Sequence, residues 1–474
     1  MTTTPHAGQC EIETVELYPS GGGNPVDLTG STLGIDIYES IFSSAVSGTI
    51  LIGNTDGIVS NLPILGQEFL KIKISTPTAN GNKTIDFTKS PLIVYKIASE
   101  TPIGNDGRAI LLRFVSPELL TNFRIRISKS FIDTPSNIIK TLITDKLNIN
   151  SNKKLHLEKT NSLRKIICPN IHPFQFIKHL VRESRSQSTG APHYLFFENC
   201  DGYHFRSLQS LYDGGISRKL HTGEDGAFEE NEQSEKMNHE FGRLLNYNIE
   251  KRDDMLQNTT TGMLGSKLVT HDIFNKRYET TFFGYFNDFN KFTNSRINRD
   301  SSDSPVYNDG SIDEFGNNVG SFVDSKMHLH PTSNTGEDFS KDAQHYLTTS
   351  VDDSSIYNPN NANMWLLDRQ SRFVQIKNSI SISAEIYGDT NMRAGDLVSV
   401  IFDNPQSNDD IDRSTTGRYL LSSLRHNFIQ SGDSAPMHRI FMRGVRDSRP
   451  ESPKGGSQVE PKMKTKRRPI EITS

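Results

Sequence analysis

The stretch from Gly388 to Val445 constrains the fold more than any other. Gly388-Asp389-Thr390 and Gly395-Asp396 lead into Leu397-Val398-Ser399-Val400, and after a polar loop Gly417-Arg418-Tyr419 leads into Leu420-Leu421-Ser422-Ser423-Leu424. Glycine accepts backbone angles closed to other residues, and a neighbouring carboxylate accepts turn N–H groups, so glycine followed by acid turns the chain. Short strands between such turns are the grammar of an antiparallel β-barrel or sandwich, and they carry no catalytic chemistry. Gly395, Asp396 and Gly417 are therefore expected to set the turns of this block, and Gly66 those of a weaker copy near the N-terminus.

That copy lies within residues 10–116. Leu33, Ile35 and Ile37 alternate with Gly34, Asp36 and Tyr38, and Leu70, Ile72 and Ile74 alternate with Lys71 and Lys73. Period-two alternation marks a strand with one buried face. Gly66-Gln67-Glu68-Phe69 parallels Gly395-Asp396-Leu397, and in each block further strands follow, Leu92–Ile97 and Ile110–Val115 in one, Arg418–Leu424 and His438–Val445 in the other. The parallel is one of pattern rather than identity, which any two antiparallel barrels share. A true duplication would present similar faces around a symmetry axis and satisfy open strand edges by pairing between subunits.

Between the blocks the pattern changes. Thr134-Pro135 reads as an N-cap with proline at the first helical position, followed by Ile138, Ile139, Leu142, Ile143 and Leu147 at helical spacing. A second helix is expected from Pro173, with Phe174, Ile177, Leu180 and Val181 on its apolar face. Tyr194–Phe197, the turn Asn199-Cys200-Asp201-Gly202 and Tyr203–Phe205 read as a hairpin. The expected fold is mainly β with an α+β insertion. Its units are a first β-barrel at 1–116, an α+β domain at 117–240, the start of a second barrel at 241–295, a polar insertion at 296–362, completion of the second barrel at 363–446, and a disordered basic tail at 447–474.

Composition excludes several classes. The net charge of −4 among 474 residues gives no global basic field for nucleic acid. No run approaches the ~18 consecutive apolar residues that span a bilayer, and Met1–His6 lacks the basic and apolar regions of a secretory signal. Cys10, Cys168 and Cys200 are widely spaced and odd in number, which fits a reducing compartment rather than a disulfide framework.

Four candidates for chemistry compete with plainer readings. His328-Leu329-His330 places two imidazoles on one strand face, with Asp324 nearby, but zinc sites need three or four ligands and the plain reading is exposed histidines. Cys168 with His172 and His179 suggests a nucleophile and base without a group to orient them, and structural roles account for them as well. The acids Asp300, Asp303, Asp309, Asp313 and Glu314 do not follow the alternating spacing of a calcium loop. Neither a phosphate-binding loop nor a Gly-x-Ser-x-Gly elbow is present. No catalytic, cofactor or metal residue is assigned. Trp365, the only tryptophan, reads as a core residue. Lys462, Lys464, Lys466, Arg467 and Arg468 put five positive charges into seven residues. They read as a solvated end or as a strap onto an acidic partner surface.

Four segments together resemble a known family. They are Tyr38-Glu39-Ser40-Ile41-Phe42 with Ser47-Gly48-Thr49-Ile50; His172-Pro173-Phe174 with the 194–208 hairpin; His271-Asp272 with Arg277-Tyr278; and Gly388–Asp396 with Gly417-Arg418-Tyr419-Leu420 and Arg425-His426. In order and spacing they resemble the baseplate central hub protein of contractile-tailed bacteriophages, which is similar in fold to the hub part of type VI secretion spike proteins. The departures are the acidic stretch at 221–240, the insertion at 296–362 and the basic tail. The resemblance implies a homotrimer whose two related antiparallel β-barrel domains per subunit form a pseudo-sixfold ring. Such a ring adapts a threefold central spike to the sixfold tail tube, borders the wedge proteins, and forms part of the conduit through which DNA passes. It implies a virion protein of the tail baseplate, assembled in host cytoplasm, with no membrane partner and no enzymatic activity. Different classes are a tail-associated peptidoglycan hydrolase, which would need a carboxylate pair in a cleft, and a tube-initiating or wedge protein, which would follow another symmetry.

Overall fold

A computed structural model describes residues 7–54, 64–76, 84–103, 107–161, 163–223, 240–250, 253–272, 276–295, 305–332, 362–403, 412, 414–430 and 435–449. The fold is mainly β. The N-terminal part forms β1 (Glu11–Tyr18), β2 (Val26–Asp27), β3 (Thr32–Ser40), β4 (Ser47–Asn54), β5 (Phe69–Ser75), β6 (Thr84–Asp86), β7 (Leu92–Ile103) and β8 (Gly107–Val115). Alternation decides which side of each strand is buried: in β3, Ile35 and Ile37 point inward while Asp36 and Tyr38 point out. Val15, Ile37, Ile50, Ile72, Val94 and Leu112 meet in one fully buried aliphatic core.

The middle part comprises α1 (Pro117–Arg124), β9 (Ile127–Asp133), α2 (Pro135–Thr144), β10 (Leu155–Leu157), β11 (Arg164–Ile171), α3 (Pro173–Glu183), β12 (Tyr194–Asn199), β13 (Gly202–Ser207) and α4 (Leu208–Tyr212). The Thr134 side chain accepts from the Asn137 N–H and caps α2, as its sequence implies. α2 and α3 bury Ile138, Ile139, Leu142, Ile177 and Leu180 in a core shared with Tyr203 and Phe205 of the hairpin. At the hairpin turn Gly202 has φ of +126°, and a Cβ there would lie 2.2 Å from the Lys154 carbonyl oxygen.

The remaining elements are β14 (Ile216–His221), β15 (Leu244–Glu250), α5 (Met255–Thr260), β16 (Gly265–Asp272), β17 (Arg277–Gly284), α6 (Tyr285–Asp288), β18 (Met327–Thr332), α7 (Leu366–Asn378), β19 (Ile380–Tyr387), β20 (Leu397–Ile401), β21 (Gly417–Ile429) and β22 (Met437–Arg446). Of the 241–295 block, read from sequence as the start of the second barrel, only β15 joins the large sheet, while β16 and β17 lie with β18 in a separate three-stranded sheet. The region read as a polar insertion thus supplies β18, which pairs parallel with β16. Trp365 is buried against Leu268, Phe283 and Leu367, ahead of the helix α7 that the strand-centred reading did not contain.

The N-terminal and C-terminal strands do not form two separate sheets. They join in one 14-stranded sheet through antiparallel pairing of β21 with β3, and the strand order among the described residues follows an open path. Six strands on each side of that junction share one order. In the N-terminal half β1-β5-β7-β8-β4-β3 are neighbours in turn, and in the C-terminal half β14-β20-β21-β22-β19-β15 are. By rank along the chain the two series are the same permutation. The registers agree as well: Ile93 faces Val115, which faces Ser47, as Leu420 faces Val445, which faces Ser381. Irregularities recur at matching positions, between Val94 and Lys96 as between Leu421 and Ser423, and between Thr32 and Gly34 as between Leu244 and Asn246. The halves differ where β14 runs parallel to β20, while β1 runs antiparallel to β5.

Candidate functional site at the junction of the halves

The junction of β3 and β21 is the most constructed polar region of the molecule. On its outward side the Arg425 guanidinium grips Asp36 in a two-pronged pair, at 2.9 and 3.0 Å, and Asn427 donates to the same carboxylate at 2.7 Å. On the buried side Glu39 of β3 accepts from the backbone N–H groups of Cys200, at 2.7 Å, and Ala394, at 2.8 Å. One buried carboxylate therefore ties together the N-terminal half, the middle hairpin and the turn before β20. Hydrogen bonds to a charged group contribute roughly 1.5–3 kcal/mol each.

The expected turn residues lie close to this point. Gly395 has φ of +95°, and a Cβ on it would sit 3.0 Å from the Phe197 ring of β12. Asp396 accepts from the Arg393 N–H at 2.9 Å, while the buried Arg393 side chain donates to Asp201 at 3.1 Å. Burial pushes the Asp396 carboxyl up to about 6, against the Arg393 N–H and guanidinium, which hold it down. In the other half Gly66 has φ of +85°, and the Glu68 carboxylate accepts from the N–H groups of Leu65, Gly66 and Gln67. The counterpart of Asp396 is thus Glu68, as the glycine-then-acid parallel expects: the Val94 N–H donates to the Glu68 carbonyl as the Leu421 N–H donates to that of Asp396. Gly417 opens β21 at φ of +156°, near the extended range.

A second buried network fastens the middle part to the N-terminal half. The Lys153 ammonium lies 2.7 Å from Glu118 and 2.6 Å from Glu198, and Glu198 also accepts from the Val46 N–H at 2.9 Å. Burial alone would lower the Lys153 pKa, but the carboxylates of Glu198 and Glu118 outweigh it and hold the amine charged. Nearby in the C-terminal half, His426 and His438 lie 3.1 Å apart and are fully buried, with Thr76 at 3.0 Å from the far nitrogen of His438. Burial pushes His426 down to about 3, and the Arg393 charge adds to this. Sequence reasoning quoted Glu39, Asp201, Arg393 and His426 without a role and passed over Lys153. The partners of each lie far away in sequence, so no local spacing marks them.

The chemical candidates fall elsewhere. His328 and His330 share a face of β18 as expected, but Asp324 is engaged by Lys267 at 2.7 Å. Cys168 is buried and its thiol pushed up, while the ring of His172 is bonded to the Ile125 carbonyl at 2.8 Å. Among the described residues no three histidine, cysteine or acidic side chains are grouped to hold a metal ion. Asp309, Asp313 and Glu314 are described; Asp313 binds the backbone and side chain of Asn317, the pattern of a local turn. Asp300 and Asp303, and the tail residues Lys462, Lys464, Lys466, Arg467 and Arg468, lie outside the described residues. No helix among the described residues is long and apolar enough to cross a membrane.

No family model matches the chain. Over 252 residues the sequence is 22% identical to the probable baseplate hub protein gp334 of Vibrio phage KVP40, an alignment covering 52% of this chain and 56% of the relative. The chain therefore aligns with little more than half the length of that curated relative. Its fold overlaps a tail protein of Neisseria meningitidis MC58 with a TM-score of 0.49 at 11% identity, covering 92% of this chain and 96% of the other. It overlaps the 43 kDa tail protein of prophage MuSo2 from Shewanella oneidensis with a TM-score of 0.45 at 9% identity, covering 92% and 98%. A Francisella PdpA-VgrG complex overlaps with a TM-score of 0.44 at 11% identity, covering 95% and 55%. At these scores the overlaps carry no argument about function. The sequence match to the Vibrio phage protein bears out the likeness read from residues 37 to 445: this chain resembles the baseplate hub proteins of contractile-tailed bacteriophages.

Proposed function

We propose that the chain is the structural hub of a phage tail baseplate and not an enzyme. In this reading three copies close into a ring in which each subunit contributes two barrel-like units, so that a threefold assembly presents six similar faces. One side of the ring meets a threefold spike, the other meets a sixfold tail tube, wedge proteins border it, and its lumen is part of the path of the genome. The observation that carries the reading is the repeated strand order with matching irregularities in one continuous sheet. A ring protein needs this: equivalent units joined rigidly enough to keep a fixed angle between them. The buried Glu39 and Lys153 networks supply rigidity on either side of the junction. The middle α+β part is clamped against both halves through Glu39, Asn199 and Lys153.

Native mass of the purified full chain, alone and with the spike protein of the same tail, tests this. The expected result is a species of three 53.2 kDa subunits, or three of each protein. A single-subunit mass in both conditions overturns the reading, and a sixfold assembly points to a wedge role. The basic tail is proposed to strap onto an acidic partner surface. Exchange of Lys462, Lys464, Lys466, Arg467 and Arg468 for serine should then weaken spike or tube binding, most visibly at low salt. Clearing of a cell-wall suspension by the purified protein would contradict the non-enzymatic assignment.

A further inference from the structure

Four arginines converge where the C-terminal end of α3 meets the start of α7. Arg164 of β11 donates to the Glu183 carbonyl at 3.4 Å, and Arg185, just past α3, reaches the Met364 sulfur at 3.0 Å. Arg182, in the last turn of α3, lies 5.9 Å from the Trp365 ring, and Arg369 of α7 donates to the carbonyls of Pro192 and Tyr194, each at 3.0 Å. Among the described residues no carboxylate forms an ion pair with any of the four. Glu183 and Asp368 act on Arg164 and Arg185 only through space, and Asp368 is bound to Lys291 at 2.6 Å. Other enclosed arginines are matched: Arg372 has Asp447 at 2.9 Å and Arg393 has Asp201 at 3.1 Å. Burial pushes Arg164, Arg185 and Arg369 down, Arg369 to about 10, and the charge of Arg185 adds at Arg164 as that of Arg182 adds at Arg369. The Arg185 Nε–H is buried without an acceptor. The C-terminal end of a helix favours cations, but among these side chains only Arg164 bonds a carbonyl of that last turn, so the helix dipole leaves the other three unexplained.

We propose that this arginine cluster binds an acidic polypeptide segment of a partner protein. A guanidinium presents a planar fork that fits a carboxylate, is weakly hydrated and stacks on aromatic rings, so it forms ion pairs at partly buried seams where an ammonium keeps its water. Arg182 is exposed, and Arg164, Arg185 and Arg369 are half-buried, with the exposed Met364 beside them. Carboxylates seated here supply the missing counter-charges, and an apolar side chain of the same segment covers Met364. Duplex nucleic acid fits less well. It needs basic side chains spread along a groove, and this chain carries a net charge of −4. The cluster lies within one chain, so the proposal is independent of the number of subunits in the ring.

Fluorescence anisotropy of a labelled oligoglutamate peptide against the purified full chain, at low salt, tests this. The parent chain should bind the peptide, and Arg182→Ser/Arg185→Ser should weaken binding about tenfold, the loss that one charged hydrogen bond carries. Arg182→Ser alone, at an exposed position that leaves the fold intact, should weaken it severalfold. Lys140→Ser/Lys146→Ser removes the same charge from other exposed positions and should leave binding unchanged. The basic tail also attracts acid, so exchange of Lys462, Lys464, Lys466, Arg467 and Arg468 for serine is measured in parallel and should retain the arginine-dependent share. Loss confined to that tail variant, or equal loss in the lysine control, overturns the proposal. Binding that appears only after Glu229, Glu230 and Glu232 are exchanged for glutamine assigns the cluster to the chain's own acidic stretch and overturns an external partner. Tighter binding of a short DNA duplex, lost in the same arginine variants, overturns the acidic segment in favour of nucleic acid.

Discussion

Gly48 of β4 faces Phe114 of β8, and at the equivalent pair Ile382 of β19 faces Gly444 of β22. Each half places one glycine and one large side chain across the same two strands, but on opposite strands. What the repeat preserves is one glycine beside one large side chain, because a close-packed core tolerates an exchange of places between neighbours better than two large side chains in the same space. The halves also differ in what they bury. The N-terminal core is almost wholly aliphatic, whereas the C-terminal half encloses His426 and His438 beside the junction. The same backbone order thus encloses an aliphatic core in one half and, in the other, an apolar core with a bonded histidine pair beside it.

The largest expected effect breaks this comparison at its glycines. A Cβ on Gly48 would lie 2.2 Å from the Asp36 carbonyl oxygen and 2.3 Å from the Phe114 ring, whereas on Gly444 its nearest contact is Ile382 at 2.9 Å. Gly48→Val should yield no folded protein, while Gly444→Val should fold with a loss of about 1–3 kcal/mol, read by chemical denaturation. Equal losses would show that the halves do not share the packing described. Lys153→Met comes next. It leaves Glu118 and Glu198 buried without their cation and should cost about 3–5 kcal/mol, with Lys153→Met/Glu118→Gln/Glu198→Gln recovering much of that loss.

Gly395→Val is smaller. It imposes a positive φ on a β-branched residue and presses on Phe197, at about 1–3 kcal/mol, and it should reduce assembled protein on a sizing column. Normal trimer yield would count against Gly395 as a required turn. The corresponding change at Gly66, whose Cβ would meet the Tyr95 backbone at 3.3 Å, sharpens the contrast between the halves.

The smallest effects are on pH dependence. Asp396 is raised from 3.8 to about 6, so its contribution to stability is complete below about pH 4 and is lost as pH rises through 6. His426 is lowered from 6.5 to about 3, so its contribution is complete above pH 6.5 and is lost as pH falls toward 3. Relative to the parent chain, Asp396→Asn should gain in thermal midpoint as pH rises from 4 to 7, and His426→Asn should gain as pH falls over the same range. Profiles parallel to the parent would rule out these groups as the source.

Much of the local structure was legible in the residues. Thr134-Pro135 announced its helix, the alternation in 33–38 announced β3, and the glycines at 66 and 395 stand at positive φ. The glycine-then-acid parallel paired Glu68 with Asp396 across one extra residue in the N-terminal turn, and the backbone carbonyls of both accept equivalent bonds. α7 was missed because Leu366–Asn378 buries Asp368, Ser371, Arg372 and Gln375 between Leu367 and Ile376, so polar residues interrupt the apolar periodicity of its inward face.

By itself the sequence determined which residues turn, which alternate and therefore which face of each strand is buried, since these depend on neighbours along the chain. It also determined the likeness to hub proteins, which rests on the order of short segments. Only the tertiary structure decided which strands are neighbours. Period-two alternation says that a face is covered and not what covers it, so the fusion of two halves through β3 and β21 left no local mark. The same holds for Glu39, whose carboxylate finds the Ala394 N–H 355 residues away. A bond of that kind exists only once the sheet has brought the two together.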